Sequence, residues 1–191
     1  IFTMPFEFIK TIIPDVILIK PQVFKDKRGC FLETYKKSDF ESFGINCSFL
    51  QDNFSSCHKD VLRGLHFQKG NKAQGKLIRV IQGEVFDVAV DIRAGSPTFG
   101  KYVSVILSKD NYNILWIPPG FAHGFLSLEE GTQLHYKCTD NEFDPASECT
   151  LAWDDPDIGI VWPLAGDILL SEKDTSNAVS LYNLSNLHMR C

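Results

Sequence analysis

Residues 84–93, Glu-Val-Phe-Asp-Val-Ala-Val-Asp-Ile-Arg, constrain the fold more than any other stretch of the chain. Phe86, Val88, Val90 and Ile92 fall on one face of an extended strand, with Val85, Asp87, Ala89 and Asp91 on the other, and Gly83 and Gly95 bound the run. A period of two requires a sheet. Other short runs share the pattern. Residues 16–19 are rich in β-branched side chains, Asp26-Lys27-Arg28-Gly29 reads as the turn after them, and residues 30–35 read as a second strand with Glu33 in its middle. Residues 47–54 resume the pattern and end in Gln51-Asp52-Asn53, and residues 102–107 form another strand. Residues 114–117 run into the rigid turn Pro118-Pro119-Gly120. Residues 123–128 and 132–139 read as a hairpin around Glu129-Glu130-Gly131.

Short strands at this spacing, separated by Gly and Pro, indicate an all-β sandwich or barrel. A single short helix is expected where Ser38-Asp39-Phe40-Glu41 has capping-box spacing and Gly44 is placed to stop it. From Asp154 onward the periodicity fades, so the C-terminal part should wrap the β core, with a short helix near Ser171. A length of 191 residues fits one domain spanning 1–191, with the residues ahead of Met4 read as an added remnant.

The net charge of -5 argues against nucleic acid as a partner, because neutralising phosphates needs a basic face. No apolar run is long enough to span a membrane, so the expected location is the cytoplasm. The six cysteines are scattered without a C-x-x-C pair, so most are expected to be buried free thiols rather than disulfides or zinc ligands.

Chemistry concentrates in Val61-Leu62-Arg63-Gly64-Leu65-His66-Phe67-Gln68 and in the following Gln74-Gly75-Lys76-Leu77. A lone strand histidine is more often a satisfied core residue. His66, however, shares apolar surroundings with Arg63, Lys76 and His123, and a buried lysine needs a partner or a task. A base beside fixed positive charge suits removal of a proton next to a carbonyl. In a regular strand Arg63 and His66 would point to opposite faces; either Gly64 between them marks a bulge that re-aims one of them, or the two serve different surfaces. A metal is not expected: Gln68 stands where a metal barrel would place its second histidine, and Lys76 adds a positive charge nearby. Tyr136 alternates with Leu134 and Cys138, so its ring belongs in the core, as plain packing or as a phenol acid. Asp174, in Ser171-Glu172-Lys173-Asp174, reads locally as part of a solvated charge run.

Longer motifs go further. They are Arg-Gly-Leu-His-Phe-Gln at 63–68, Gln-Gly-Lys-Leu at 74–77, the run at 84–93, Ser-Pro-Thr-Phe-Gly at 96–100, Trp-Ile-Pro-Pro-Gly-Phe-Ala-His-Gly-Phe at 116–125, Tyr-Lys-Cys-Thr at 136–139 and Trp-Asp-Asp-Pro at 153–156. Together, from about Phe8 to about Asp174, the chain resembles the dTDP-4-dehydrorhamnose 3,5-epimerases. The resemblance implies a cupin-type double-stranded β-helix (jelly roll) with short peripheral helices, a homodimer that exchanges N-terminal strands, and no metal or other cofactor. The implied substrate is dTDP-4-keto-6-deoxy-D-glucose, inverted at C3 and C5 to dTDP-4-keto-L-rhamnose in dTDP-L-rhamnose biosynthesis. Residue by residue, His66 matches the general base, Asp174 the carboxylate that orients it, Lys76 the cation beside the C4 oxygen, and Tyr136 the opposite-face acid. Arg28, Arg63 and Lys173 match positions that contact the diphosphate, and Glu33, Gln51, Asn53, His123 and Glu148 match polar binding positions. Phe143 matches an aromatic that stacks on thymine, and His135 stands where an apolar residue is expected. The rival readings are a mono-epimerase or ketoisomerase for a related nucleotide-linked 4-ketosugar, a non-catalytic sugar-nucleotide-binding cupin, and a metal-dependent dioxygenase.

Overall fold

Fourteen strands and three short helices form the computed structural model, which describes residues 5–164 and 166–188, and for 186–188 the backbone alone. Met4 and Cys191 lie outside the described residues. In chain order the first elements are β1 (Phe6–Lys10), β2 (Ile17–Pro21), β3 (Phe24–Asp26), β4 (Gly29–Phe31), α1 (Lys37–Ser42), β5 (Phe49–Cys57), β6 (Leu62–Gln68) and β7 (Lys76–Gln82). Then come β8 (Glu84–Asp91), β9 (Tyr102–Ser108), β10 (Ile114–Ile117), β11 (Phe121–Ser127), β12 (Thr132–Thr139) and β13 (Glu148–Leu151). The C-terminal elements are α2 (Glu172–Ser176), β14 (Ala178–Val179) and α3 (Leu181–His188).

Two six-stranded sheets face each other, in the orders β1-β2-β10-β7-β12-β5 and β14-β13-β6-β11-β8-β9. Between β5 and β13 the chain passes from one sheet to the other at nearly every connection, which gives the expected all-β jelly roll of the cupin type. Alternation along each strand sorts the apolar residues into three layers. Ile78, Val80 and Leu134 of the first sheet meet Val85, Ala89, Phe121 and Phe125 of the second in the middle. The outer face of the second sheet, with Leu62, Leu65, Phe67, Val88 and Val90, is covered by Ile158, Trp162, Leu181 and Leu184 of the C-terminal segment. On the outer face of the first sheet, Ile17, Ile19, Leu77 and Trp116 pack with Phe6, Phe40 and Ile45. Each such buried large side chain contributes about 1.5–3 kcal/mol, so apolar burial pins the C-terminal wrap as firmly as it pins the strands.

Gly64 introduces a bulge, one of the two arrangements the sequence left open. In the β6–β11 ladder His66 pairs with His123 and Arg63 with Phe125, so three steps on one strand oppose two on the other. Leu65 and Phe67 therefore face the outer layer, while Arg63 and His66 share the inner side. Only glycine fits at position 64: its φ is +121°, and a Cβ there would lie 2.6 Å from Gly124 Cα and 2.8 Å from the His123 carbonyl oxygen.

The structure corrects several local expectations. Residues 128–131 do not close a hairpin, because β11 pairs with β6 and β8 in one sheet and β12 with β5 and β7 in the other. Both strands already have two neighbours, so the turn crosses between sheets. Glu33 falls outside the strand expected at 30–35: β4 stops at Phe31, opposite Phe24, the first residue of β3. Helix α1 is capped by Lys36 without a side-chain bond, so Ser38 is no capping-box residue, although Gly44, at φ +98°, follows the C-cap residue as expected. The short helix near Ser171 is α2, with Ser171 as its N-cap. Among the described cysteines Cys57 and Cys138 are buried, Cys47 and Cys149 half-buried and Cys30 exposed, all as free thiols.

Candidate active site

A cavity of about 280 Å³ opens between the two sheets at the ends of β5, β6, β7, β12 and β13. His66, Lys76, Tyr136, Gln51, Asn53, Phe143 and Glu148 all line it, so seven of the residues singled out in the sequence meet in one place. Phe67, Gln68, Gln74, Phe121 and Cys138 complete the lining. His66 comes from one sheet and Tyr136 from the other, so imidazole and phenol stand on opposite walls.

His66 Nε2 lies 2.5 Å from Asp174 Oδ1. Asp174 is 3 % exposed, and Ser171 Oγ donates to its other oxygen at 2.9 Å. Burial alone would raise the Asp174 pKa, but hydrogen bonds from His66, Ser171 and the Gly64 amide outweigh it and hold the carboxyl below its usual range. An ionised partner on Nε2 fixes that nitrogen as the proton-bearing one, leaving Nδ1 as the basic atom. Lys76, on β7, donates from Nζ to the His66 carbonyl oxygen at 3.3 Å. Burial draws its ammonium pKa below the ordinary lysine value, against the pull of Cys138, Asp87 and Glu148. Tyr136 is pushed the other way: burial raises its pKa, so the phenol keeps its proton. Burial likewise keeps the Cys138 thiol neutral.

The polar wall is ordered by its own bonds. Gln51 Nε2 donates to Asn53 Oδ1 at 3.0 Å, and Asn53 Nδ2 donates to Cys138 Sγ at 3.5 Å. Lys173, beside Asp174 on α2, forms an ion pair with Glu148. Arg63 shares the inner side of β6 with His66 and its Nε donates to Cys57 Sγ at 3.2 Å. His123 stands behind the cavity, fully buried, with Nε2 3.0 and 3.1 Å from the Asp87 oxygens. Burial lowers its pKa despite the Asp87 charge.

Arg28 and Glu33 are not among the cavity-lining residues. Arg28 stands on the exposed β3–β4 hairpin, paired with Asp26 at 2.6 Å. His135 faces the opposite side of β12 from Tyr136, 3.7 Å from Asp52, and so does not form the cavity floor. Asp87 and Gln74 were given no role in the sequence, and Gln68 was noted only as standing in place of a metal ligand. For Asp87 the signal was present, since the alternation of β8 places it inward beside Val85 and Ala89.

The family model for dTDP-4-dehydrorhamnose 3,5-epimerase matches residues 10–181. The chain is 54 % identical over 169 residues to dTDP-4-dehydrorhamnose 3,5-epimerase of Salmonella typhimurium, covering 88 % of this chain and 92 % of that protein. The solved dTDP-6-deoxy-D-glucose-3,5-epimerase of Legionella pneumophila, in complex with dTDP-4-keto-L-rhamnose, is 48 % identical, covers 94 % of each chain and superposes with a TM-score of 0.89. A 3'-monoepimerase of Streptomyces bikiniensis in complex with dTDP-quinovose is more distant, at 31 % identity and a TM-score of 0.84 over 91 % of this chain and 87 % of that one. The chain belongs to the dTDP-4-dehydrorhamnose 3,5-epimerase family.

Proposed function

We infer that this protein is an isomerase that inverts C3 and C5 of dTDP-4-keto-6-deoxy-D-glucose to give dTDP-4-keto-L-rhamnose, a step of dTDP-L-rhamnose biosynthesis. The observation that carries the reading is the placement of an aspartate-held imidazole and a protonated phenol on opposite walls of one cavity. The cavity volume is near the low end for ligand sites (about 300–1,000 Å³), which suits one sugar ring with the nucleotide lying outward.

The C4 ketone acidifies the protons on C3 and C5. His66 Nδ1 removes one of them, the electron pair moves onto the C4 oxygen, and the Lys76 ammonium steadies the enolate. Tyr136 returns its proton to the same carbon from the other wall, which inverts the centre. Imidazolium and phenolate then reset by exchange with water, and the second carbon follows the same course. Asp174 acts through His66, fixing the tautomer and strengthening the base. Gln51, Asn53 and Glu148 bind the sugar nucleotide, with Arg63 and Lys173 towards the diphosphate and Phe143 against the thymine. His123, one layer behind and held by Asp87, supports the cavity wall rather than touching the ligand. None of these steps calls for a cofactor.

The enzyme acts as a homodimer in the cytoplasm. Phe54, 62 % exposed, and Leu50 project from the outer face of β5, and Phe24 and Phe31 are exposed on the β3–β4 hairpin. That hairpin reaches the body of the chain at Tyr112, through Lys25 over its ring and Cys30 near its hydroxyl. An apolar arm of this kind, carrying Arg28, is suited to reach the cavity of a partner subunit.

Product analysis in deuterated buffer tests the reading. Wild-type protein should place deuterium at both C3 and C5 and yield the L-rhamno product. His66→Ala should lose exchange at both carbons, with a rate loss of about 10²–10⁴-fold. Inversion at one carbon alone would identify a mono-epimerase, and exchange that survives in His66→Ala would remove this residue as the base.

A further inference from the structure

The segment 140–147, between β12 and β13, has no sheet or helix to hold it, yet it carries Phe143 at the cavity mouth. Three glutamine side chains of the cavity wall reach it. Gln51 Oε1 accepts from the Phe143 amide at 2.8 Å, Gln68 Oε1 accepts from the Asp144 amide at 3.0 Å, and Gln74 Nε2 donates to the Asn141 carbonyl at 2.6 Å. Asn141 Nδ2 in turn donates to the Asn71 carbonyl at 2.9 Å, beside Gln74.

We propose that Gln68 and Gln74 are positioning residues that clamp this segment and fix the Phe143 ring for the nucleobase, so that they set affinity for the nucleotide rather than the rate of proton transfer. Three features support this. Gln68, 8 % exposed, is the side chain after Phe67 on the strand that carries the base, and Gln74 lies two residues before Lys76. The clamp therefore springs from the end of β6, which carries His66, and from the loop that leads into β7 and Lys76. Both ends of the amide group are used: Gln51 and Gln68 accept with their oxygens, and Gln74 donates with its nitrogen. A backbone amide in an irregular exposed loop is ordinarily bonded to water, so bonding two consecutive loop amides to the half-buried Gln51 and the buried Gln68 orders the segment before the ligand binds.

This rests on the nucleotide-sugar reading, and the test separates the two. Gln68→Met and Gln74→Met remove the polar ends at similar volume. Amide hydrogen exchange in 140–147, binding of dTDP alone, and kcat and KM are then compared with wild type and with Phe143→Ala. The expected result is faster exchange of the segment in each variant, a dTDP affinity and KM worse by about 5- to 10-fold (the scale of one or two lost hydrogen bonds) and a kcat within about two-fold. Adding Gln68→Met to Phe143→Ala should cost nothing further, because the glutamine acts through the ring. Unchanged segment exchange, a fall in kcat with KM intact, or fully additive losses would each overturn the proposal. Should Gln68→Met not fold, Gln74→Met, at a half-buried position, carries the same test. If wild type binds dTDP but shows no epimerisation, the function fails while exchange and dTDP binding still judge the clamp.

Discussion

At the scale of single residues, two half-buried groups in the cavity have their pKa values displaced in opposite directions. Burial raises the pKa of Tyr136, which holds the phenol proton to higher pH, and lowers that of Lys76, which brings loss of the ammonium proton to lower pH. The enolate then loses its counter-charge, and kcat/KM falls through the Lys76 ionisation. The alkaline limb of the pH–rate profile is therefore assigned to Lys76. Lys76→Arg, whose guanidinium stays charged through the alkaline range, should lower the maximum and move that limb to higher pH. A limb that stays in place in Lys76→Arg would assign it to another group.

At the scale of elements, legibility followed how local each signal was. The face of β8 that carries Phe86, Val88 and Val90 was readable and the bulge at Gly64 was one of two readings, because a period of two and a glycine between Arg63 and His66 act over a few residues. The pairing of β11 and β12 was not, since a Glu-Glu-Gly turn looks the same whether it closes a hairpin or crosses between sheets. Asp174 was readable only through resemblance: its partner is 108 residues away, and nothing in Ser-Glu-Lys-Asp tells a solvated run from a helix tip buried against β6. Gln68 looked merely like an absent metal ligand, because its bond to Asp144 is made by a loop 76 residues on. The exposed β3–β4 hairpin leads to a prediction at this scale. If Arg28 serves the partner's cavity, mixing Arg28→Ala dimers with His66→Ala dimers, each impaired alone, should restore activity on subunit exchange, because one cavity of the heterodimer is then intact. Absence of restoration despite heterodimer formation would place Arg28 in its own subunit's function.

At the scale of the whole molecule, the sandwich makes opposite-face chemistry possible. One sheet brings His66, the other brings Tyr136 and Lys76, and the C-terminal wrap returns to seat Asp174 against the imidazole. Burial of Trp162, Leu181 and Leu184 on the outer face of the second sheet anchors that wrap, so the hydrophobic layer farthest from the cavity helps set the geometry within it. Tyr136→Phe, assayed by NMR in deuterated buffer, tests this two-walled arrangement most directly. Deuterium should still enter the substrate at a ring carbon, because His66 continues to remove and return protons on its own side, while inverted product falls by about 10²–10⁴-fold. Inverted product at the wild-type rate would contradict it.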